Sequence, residues 1–172
     1  MRPNTEKQGI IARMQGMAFV NKVVVPAVGG LIGIAAMIAF DRMSGVPLMM
    51  VPFATSIVLV MATPLSLFAR PRNIVGGHLL SAVAGFAILW SFGSNPWLAA
   101  PAVGLAIALM QMTNTLHPPA GINPFIIVTM APGWEFFFIP VAAGAVLLVA
   151  LAWLYHKVTQ PGVYPIRQRK SE

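Results

Sequence analysis

An all-α membrane protein is the fold class this sequence predicts, and three observations predict it. Hydrophobic residues make up 58% of the 172 and charged residues only 9%, with a mean hydropathy of +0.79, far above the apolar share of a water-soluble domain. Runs free of Asp, Glu, Lys and Arg cover residues 23–40, 43–69, 73–134 and 136–156, and a crossing helix takes about 20 mostly apolar residues. Prolines and glycines then cut the longest run into helix-sized pieces.

Residues 1–22 form a polar lead in which Ile10, Ile11, Met14, Met17 and Ala18 share one helical face, with Arg13, Gln15 and Lys22 elsewhere. That pattern fits a short amphipathic helix lying on the membrane surface, and equally a frayed tail. No A-x-A site closes the first apolar run, so it is expected to stay as a helix and not to be cleaved as a signal. The second helix is expected over residues 52–68, entered through Val46-Pro47 and left at "ARPRN". Then come residues 76–92, a break at Gly93-Ser94-Asn95-Pro96, residues 97–113, residues 120–131 before Pro132-Gly133, and residues 136–156. The organisation is thus a tail and interfacial helix (1–22), a transmembrane domain (23–156) and a basic tail (157–172).

The piece over 120–131 is too short for a regular crossing: at about 1.5 Å per residue it reaches about 18 Å, against about 30 Å of hydrocarbon. Charge parity favours its crossing all the same. With six crossings, ten of the eleven basic residues (Arg2, Lys7, Arg13, Lys22, Arg70, Arg72, Lys157, Arg167, Arg169 and Lys170) lie on one side, leaving Asp41, Arg42 and Glu135 on the other. The positive-inside rule makes the first side cytoplasmic, with both termini there, in a cell inner membrane. Trp90, Trp97 and Trp134 then fall at the outer interface and Trp153 with Tyr155 at the inner one, while His156, beside Lys157, is expected at the interface.

A short segment spans more if part of it is extended, and "NTLHPPAGINPF" carries Pro118, Pro119 and Pro124, which lock φ and remove backbone donors. The fifth crossing is therefore expected to be a broken helix, buried in the bundle or lining an aqueous path, because irregular backbone survives at membrane depth only there. "PFATSIVLV" (52–60) and "PAGINPFIIV" (119–128) share a proline, small residues, a polar position and a β-branched run. An odd number of crossings separates them, so an inverted three-plus-three repeat fits, as does chance similarity of two Pro-Ala-Gly-rich helix starts.

His117-Pro118-Pro119, together with "ARPRNIVGGHLLSA" (69–82), resembles the HPP family of small integral membrane proteins over about residues 46–155. The pattern departs from that family at Ala120-Gly121-Ile122-Asn123-Pro124, where members often read Ala-Gly-Ala, and at Phe53-Ala54-Thr55-Ser56, where they read Phe-Gly-Ala-Ser. The resemblance implies a helical membrane domain; plant and cyanobacterial relatives are associated with nitrite transport. Some relatives carry a fused CBS domain, and none is expected in these 172 residues.

The candidate site is read from residue chemistry. His117, an ionisable group at the start of the broken helix, would donate to a small anion or relay a proton, or else cap backbone freed by the prolines. Arg70, Arg72, Asn73 and His78 fall on the same side, and a helix starting near Gly76-Gly77 would aim its free N–H groups and positive dipole end at the same mouth. The arginines also fit the positive-inside rule with no substrate, and the two glycines fit close helix packing. Asn114, Thr115, Gly121 and Asn123 flank the triplet, with Thr55 and Ser56 as matching polar groups in the second crossing; single hydroxyls in membrane helices usually bond back to their own helix. Gly29, Gly30 and Gly33 fit packing within the bundle or between the subunits of a homo-oligomer.

Several classes fall away. The net charge of +7 sits at helix flanks and is not interleaved with aromatics, so the expected partner is the lipid bilayer and not nucleic acid. The absence of cysteine excludes thiolate chemistry. Met110 and Met112 do not make a copper path, and Asp41 and Glu135 lie away from His117, so neither an acid–base pair nor a metal site assembles; no cofactor and no enzymatic activity are expected. The reading is a channel or transporter for a small inorganic anion such as nitrite, through a polar path lined by the HPP and PRNIVGGH motifs. Its rivals are a non-transporting membrane scaffold or regulatory module, marked by a dry core with those polar residues paired to one another, and a channel for a neutral solute.

Overall fold

A computed structural model describes residues 14–45 and 51–166. The expectations for Ile10, Ile11, Arg2, Lys7, Arg13, Val46-Pro47, Arg167, Arg169 and Lys170 lie outside the described residues. Among those described, the fold is all helical, with six α-helices: α1 (Val25–Ser44), α2 (Val51–Ala62), α3 (Pro71–Phe92), α4 (Ala99–Met112), α5 (Asn123–Met130) and α6 (Ala143–Thr159). Three helical segments are long and apolar enough to cross a membrane, Met14–Met43, Pro71–Phe92 and Phe137–Thr159. The shorter α2, α4 and α5 stand among them, and the chain is a multi-pass membrane protein.

Four boundaries differ from those the sequence predicts. No break separates an interfacial helix from the first crossing, because the helix from Met14 passes into α1 through a π-wound turn at Val20–Val24. α2 stops at Ala62 instead of Phe68, since Pro64 disfavours the α conformation at Thr63; a 3-10 turn at Leu67–Ala69 follows. α3 starts at Pro71, more than a turn before Gly76, because proline suits the first helical position, where its missing N–H costs nothing. α6 is entered through a π-wound turn, Phe137–Ala142, in which Ile139 is extended (φ −137°, ψ 113°).

α3 is the central helix. Half of its apolar window is buried, against 17% for the α1 segment and 33% for the α6 segment. Close approach around it depends on missing side chains: a Cβ on Gly85 would stand 2.9 Å from Pro124 Cα, and one on Gly144 of α6 would stand 2.8 Å from the Phe53 ring. Met37, Phe53, Ile57, Val60, Ile74 and Leu148 form a core joining α1, α2, α3 and α6. A second core joins Ala82 and Phe86 of α3 to Ile127 of α5 and Val141. Gly29 and Gly33 face into the bundle, against Tyr155 and Ile57, while Gly30 meets open space.

The two ends differ as the aromatics predict. Trp90, Trp97 and Trp134 are exposed at the end holding Asp41 and Glu135. At the other, basic end Lys157 Nζ sits 4.7 Å over the Trp153 ring, and the Tyr155 hydroxyl donates to the Val25 carbonyl at 2.7 Å. His156 is buried and not interfacial: its Nε2–H donates to the Val60 carbonyl at 3.1 Å, left available in the last turn of α2.

Candidate functional site

Three helices and one loop converge on two histidines that are wholly shielded from solvent, His78 on α3 and His117 before the 3-10 turn Pro118–Ile122. Their ring centroids are 5.2 Å apart, and Ser56 of α2 stands between them, its Oγ 3.0 Å from His78 Nε2 and 2.7 Å from His117 Nε2. The outer nitrogens are held as well. His117 Nδ1 donates to the Phe68 carbonyl at 2.7 Å, and Asn123 Nδ2, at the start of α5, lies 3.1 Å from His78 Nδ1, 3.2 Å from the His78 carbonyl and 3.0 Å from Ser81 Oγ. Phe53 stacks on His78 with centroids 4.7 Å apart. A buried polar network of this kind holds its members in one arrangement when each has a partner.

Each prolyl segment delivers one residue to this centre. Ser56 lies four residues after Pro52, and Asn123 four after Pro119. One helix runs toward the basic end and the other away from it, and the two residues grip opposite nitrogens of His78.

The loop before His117 is fastened to α3. Asn73 Nδ2 donates to the Leu116 carbonyl at 3.0 Å and Arg72 to the Thr113 carbonyl at 2.7 Å. Asn114 takes a left-handed conformation (φ 54°), which asparagine tolerates. Gly76 and Gly77 lie inside α3 and not at its start, so their N–H groups do not point at a mouth; a Cβ on them would meet Thr115 and His117. They are packing residues that let the loop lie on the helix. The free N–H groups belong to the Pro71 end, where Arg70, Arg72, Asn73 and Asn114 surround a cavity of about 360 Å³ with Ile166. Arg70 Nε is buried there without a protein partner.

Other candidates stand apart. Thr55 donates back to the carbonyls of Val51 and Pro52 and, with Pro118 and Pro119, borders a largely apolar cavity of about 520 Å³ on the other flank of the loop. Thr115 is paired with Thr113, their hydroxyls 2.7 Å apart, and a Cβ on Gly121 would meet nothing within 4 Å. The expected open, hydrated lining is not what surrounds the triplet: both rings are sealed, and Asn73 with the Leu116 carbonyl lies between the cationic cavity and His117.

The profile described as "HPP, transmembrane region" matches residues 16–165. The chain belongs to the HPP transmembrane family. Two transmembrane proteins of Dictyostelium discoideum are 36% and 34% identical to it over alignments of 122 residues, with 66% of this chain and 43% and 39% of theirs covered. This HPP chain therefore spans about two-fifths of the length of the curated relatives it matches. No solved structure matches it. Ser81, the Phe68 carbonyl and the Phe53 ring are parts of the HPP site that sequence reasoning missed. Ser81 looks like any lone hydroxyl of an apolar helix, and a backbone carbonyl leaves no trace in residue type.

Proposed function

We propose that this HPP protein passes a small inorganic anion, nitrite being the first to examine, across a cell inner membrane with the Arg70–Arg72 end in the cytoplasm. One observation carries the reading: the cavity bounded by Arg70, Arg72, Asn73 and Asn114 at the N-terminus of a long buried helix. Guanidinium groups and unbonded N–H groups are the donors a dehydrating anion needs, since an unpaired ion entering lipid costs many kcal/mol. Asn73 is both a wall of that cavity and the clasp on the loop that carries His117, so parting that clasp would join the vestibule to the interior. The excess of basic residues at that end favours the orientation.

A second reading is a non-transporting scaffold or regulatory module, and what favours it is the mutual pairing of the buried polar side chains. Flux into proteoliposomes decides between them, with nitrite, nitrate, formate and chloride supplied in turn. Nitrite entry above protein-free vesicles, lowered in Arg70→Ala or Arg72→Ala, supports the anion path, whether the ion moves alone and responds to membrane potential or moves with a proton and does not. Entry that neither variant lowers counts against the arginine-lined path, and no entry of any of the four leaves the scaffold.

A further inference from the structure

The imidazole pair has an asymmetry that hydrogen-bond counting exposes. A carbonyl can only accept, so the Phe68 oxygen fixes a proton on His117 Nδ1, and the neutral ring's Nε2 must be an acceptor. On the other ring, the single Ser56 hydrogen is already given to His117 Nε2, so His78 Nε2 carries a proton and donates to Ser56 Oγ, and His78 Nδ1 is left to accept from Asn123 Nδ2. The donors then run one way, from Asn123 to His78, His78 to Ser56, Ser56 to His117, and His117 to Phe68.

Ser56 has one hydroxyl hydrogen and a second acceptor within reach, the Pro52 carbonyl at 2.8 Å. Consider a proton added to His117 Nε2. One N–H bond forms there, the Ser56 hydroxyl turns to Pro52, and Ser56 Oγ accepts from both imidazole Nε2–H groups through its two lone pairs. Every polar hydrogen keeps a partner. A proton added to His78 Nδ1 would instead face the amide hydrogens of Asn123, donor against donor.

We infer that His117 is a binding site for one proton, that His78 stays neutral, and that the proton enters together with the anion. The last part rests on the transport reading above. Its argument is charge balance. His78 is the titratable side chain packed on the His117 ring; α2 presents Ser56, α5 presents Asn123, the 67–69 turn presents a carbonyl, and Arg70 and Arg72 stand at the rim. Among the described residues the carboxylates are Asp41 and Glu135, both at the far end. An imidazolium here has no counter-ion among the described residues, and an isolated charge at that depth is costly. The anion in the adjoining cavity, across Asn73 and Leu116, is the available compensation.

The experiment is a nitrogen-15 NMR titration of histidine-labelled protein in lipid nanodiscs, with nitrite present, from about pH 8 to about pH 5. His117→Gln assigns the His117 signals. The expected result is a second N–H on His117 while His78 keeps its Nε2–H form throughout. In Ser56→Ala the His117 midpoint should fall by about one pH unit or more, a tenfold weaker hold on the proton. Titration of His78 in place of His117, no second N–H on His117 by about pH 5, or an unchanged His117 midpoint in Ser56→Ala, overturns the site. In proteoliposomes holding a pH dye, nitrite entry should carry protons inward beyond a protein-free blank, and Ser56→Ala should uncouple the two. Nitrite entering without protons overturns the coupling alone; no nitrite entry at all overturns the transport reading and the coupling with it, and the titration still decides the His117 site.

Discussion

Gly77 lies so close under His117 that a methyl group on its Cα would stand 2.6 Å from His117 Cβ and 3.1 Å from the Thr115 carbonyl oxygen. The obstacles are a loop's backbone and a Cβ, not the tip of a flexible chain. Gly77→Ala should therefore destabilise by about 1–3 kcal/mol, the usual cost of overpacking. Gly104→Ala, with nothing within 4 Å, should be neutral or stabilising by up to about 1 kcal/mol. Thermal unfolding of the two variants in detergent checks the contrast; equal midpoints would mean the loop is not seated on α3.

Asn123→Ala should leave His78 Nδ1 and its surroundings short of a donor inside the bundle. The expected loss is about 1–3 kcal/mol, the desolvation cost of an unsatisfied buried group. Asn123→Ser, which keeps a short donor, should recover part of it. Chemical denaturation curves for the three proteins measure both differences.

Phe53 joins the site to the core, because its ring stacks on His78 and also fills the space that Gly144 leaves. Phe53→Ala is expected to cost about 3–5 kcal/mol, and Phe53→Leu less. Histidine NMR signals should broaden in the alanine variant as the ring under His78 is lost, and sharp, unmoved signals would contradict the stacking.

Arg72→Ala should lower nitrite flux by about tenfold, the effect of about 1.4 kcal/mol, with little loss of stability, since the side chain is exposed and makes a single bond to Thr113. Arg72→Lys should recover only part, because an ammonium lacks the planar fork of a guanidinium. Initial rates in vesicles, corrected for protein incorporated, give the comparison.

Much of this arrangement is legible in the amino-acid sequence. Pro118, Pro119 and Pro124 announce a broken fifth helix, and His117, Asn123, His78 and Ser56 all stood out as polar groups in apolar surroundings. What stayed hidden has physical causes. "ARPRN" looks like a loop because two arginines and an asparagine are hydrophilic, yet Pro71 opens a helix there, so Gly76 and Gly77 changed from donors to spacers. The pairing of Ser56 with both imidazoles depends on α2 ending at Ala62 and on the turn that follows, which composition does not register. Thr55 and Ser56 are chemically alike neighbours; only helix rotation decides that one bonds back to its own turn and the other meets two histidines.

The α1 segment, with 17% of its window covered, supplies none of the hydrogen-bond partners of His78 or His117 among the described residues; those come from α2, α3, α5 and the 67–69 turn. It rides alongside as an outrigger, lashed by Tyr155 to Val25. Variation along its lipid-facing flank can thus retune how the bundle sits among neighbours in the bilayer, while the histidine chemistry inside goes on undisturbed.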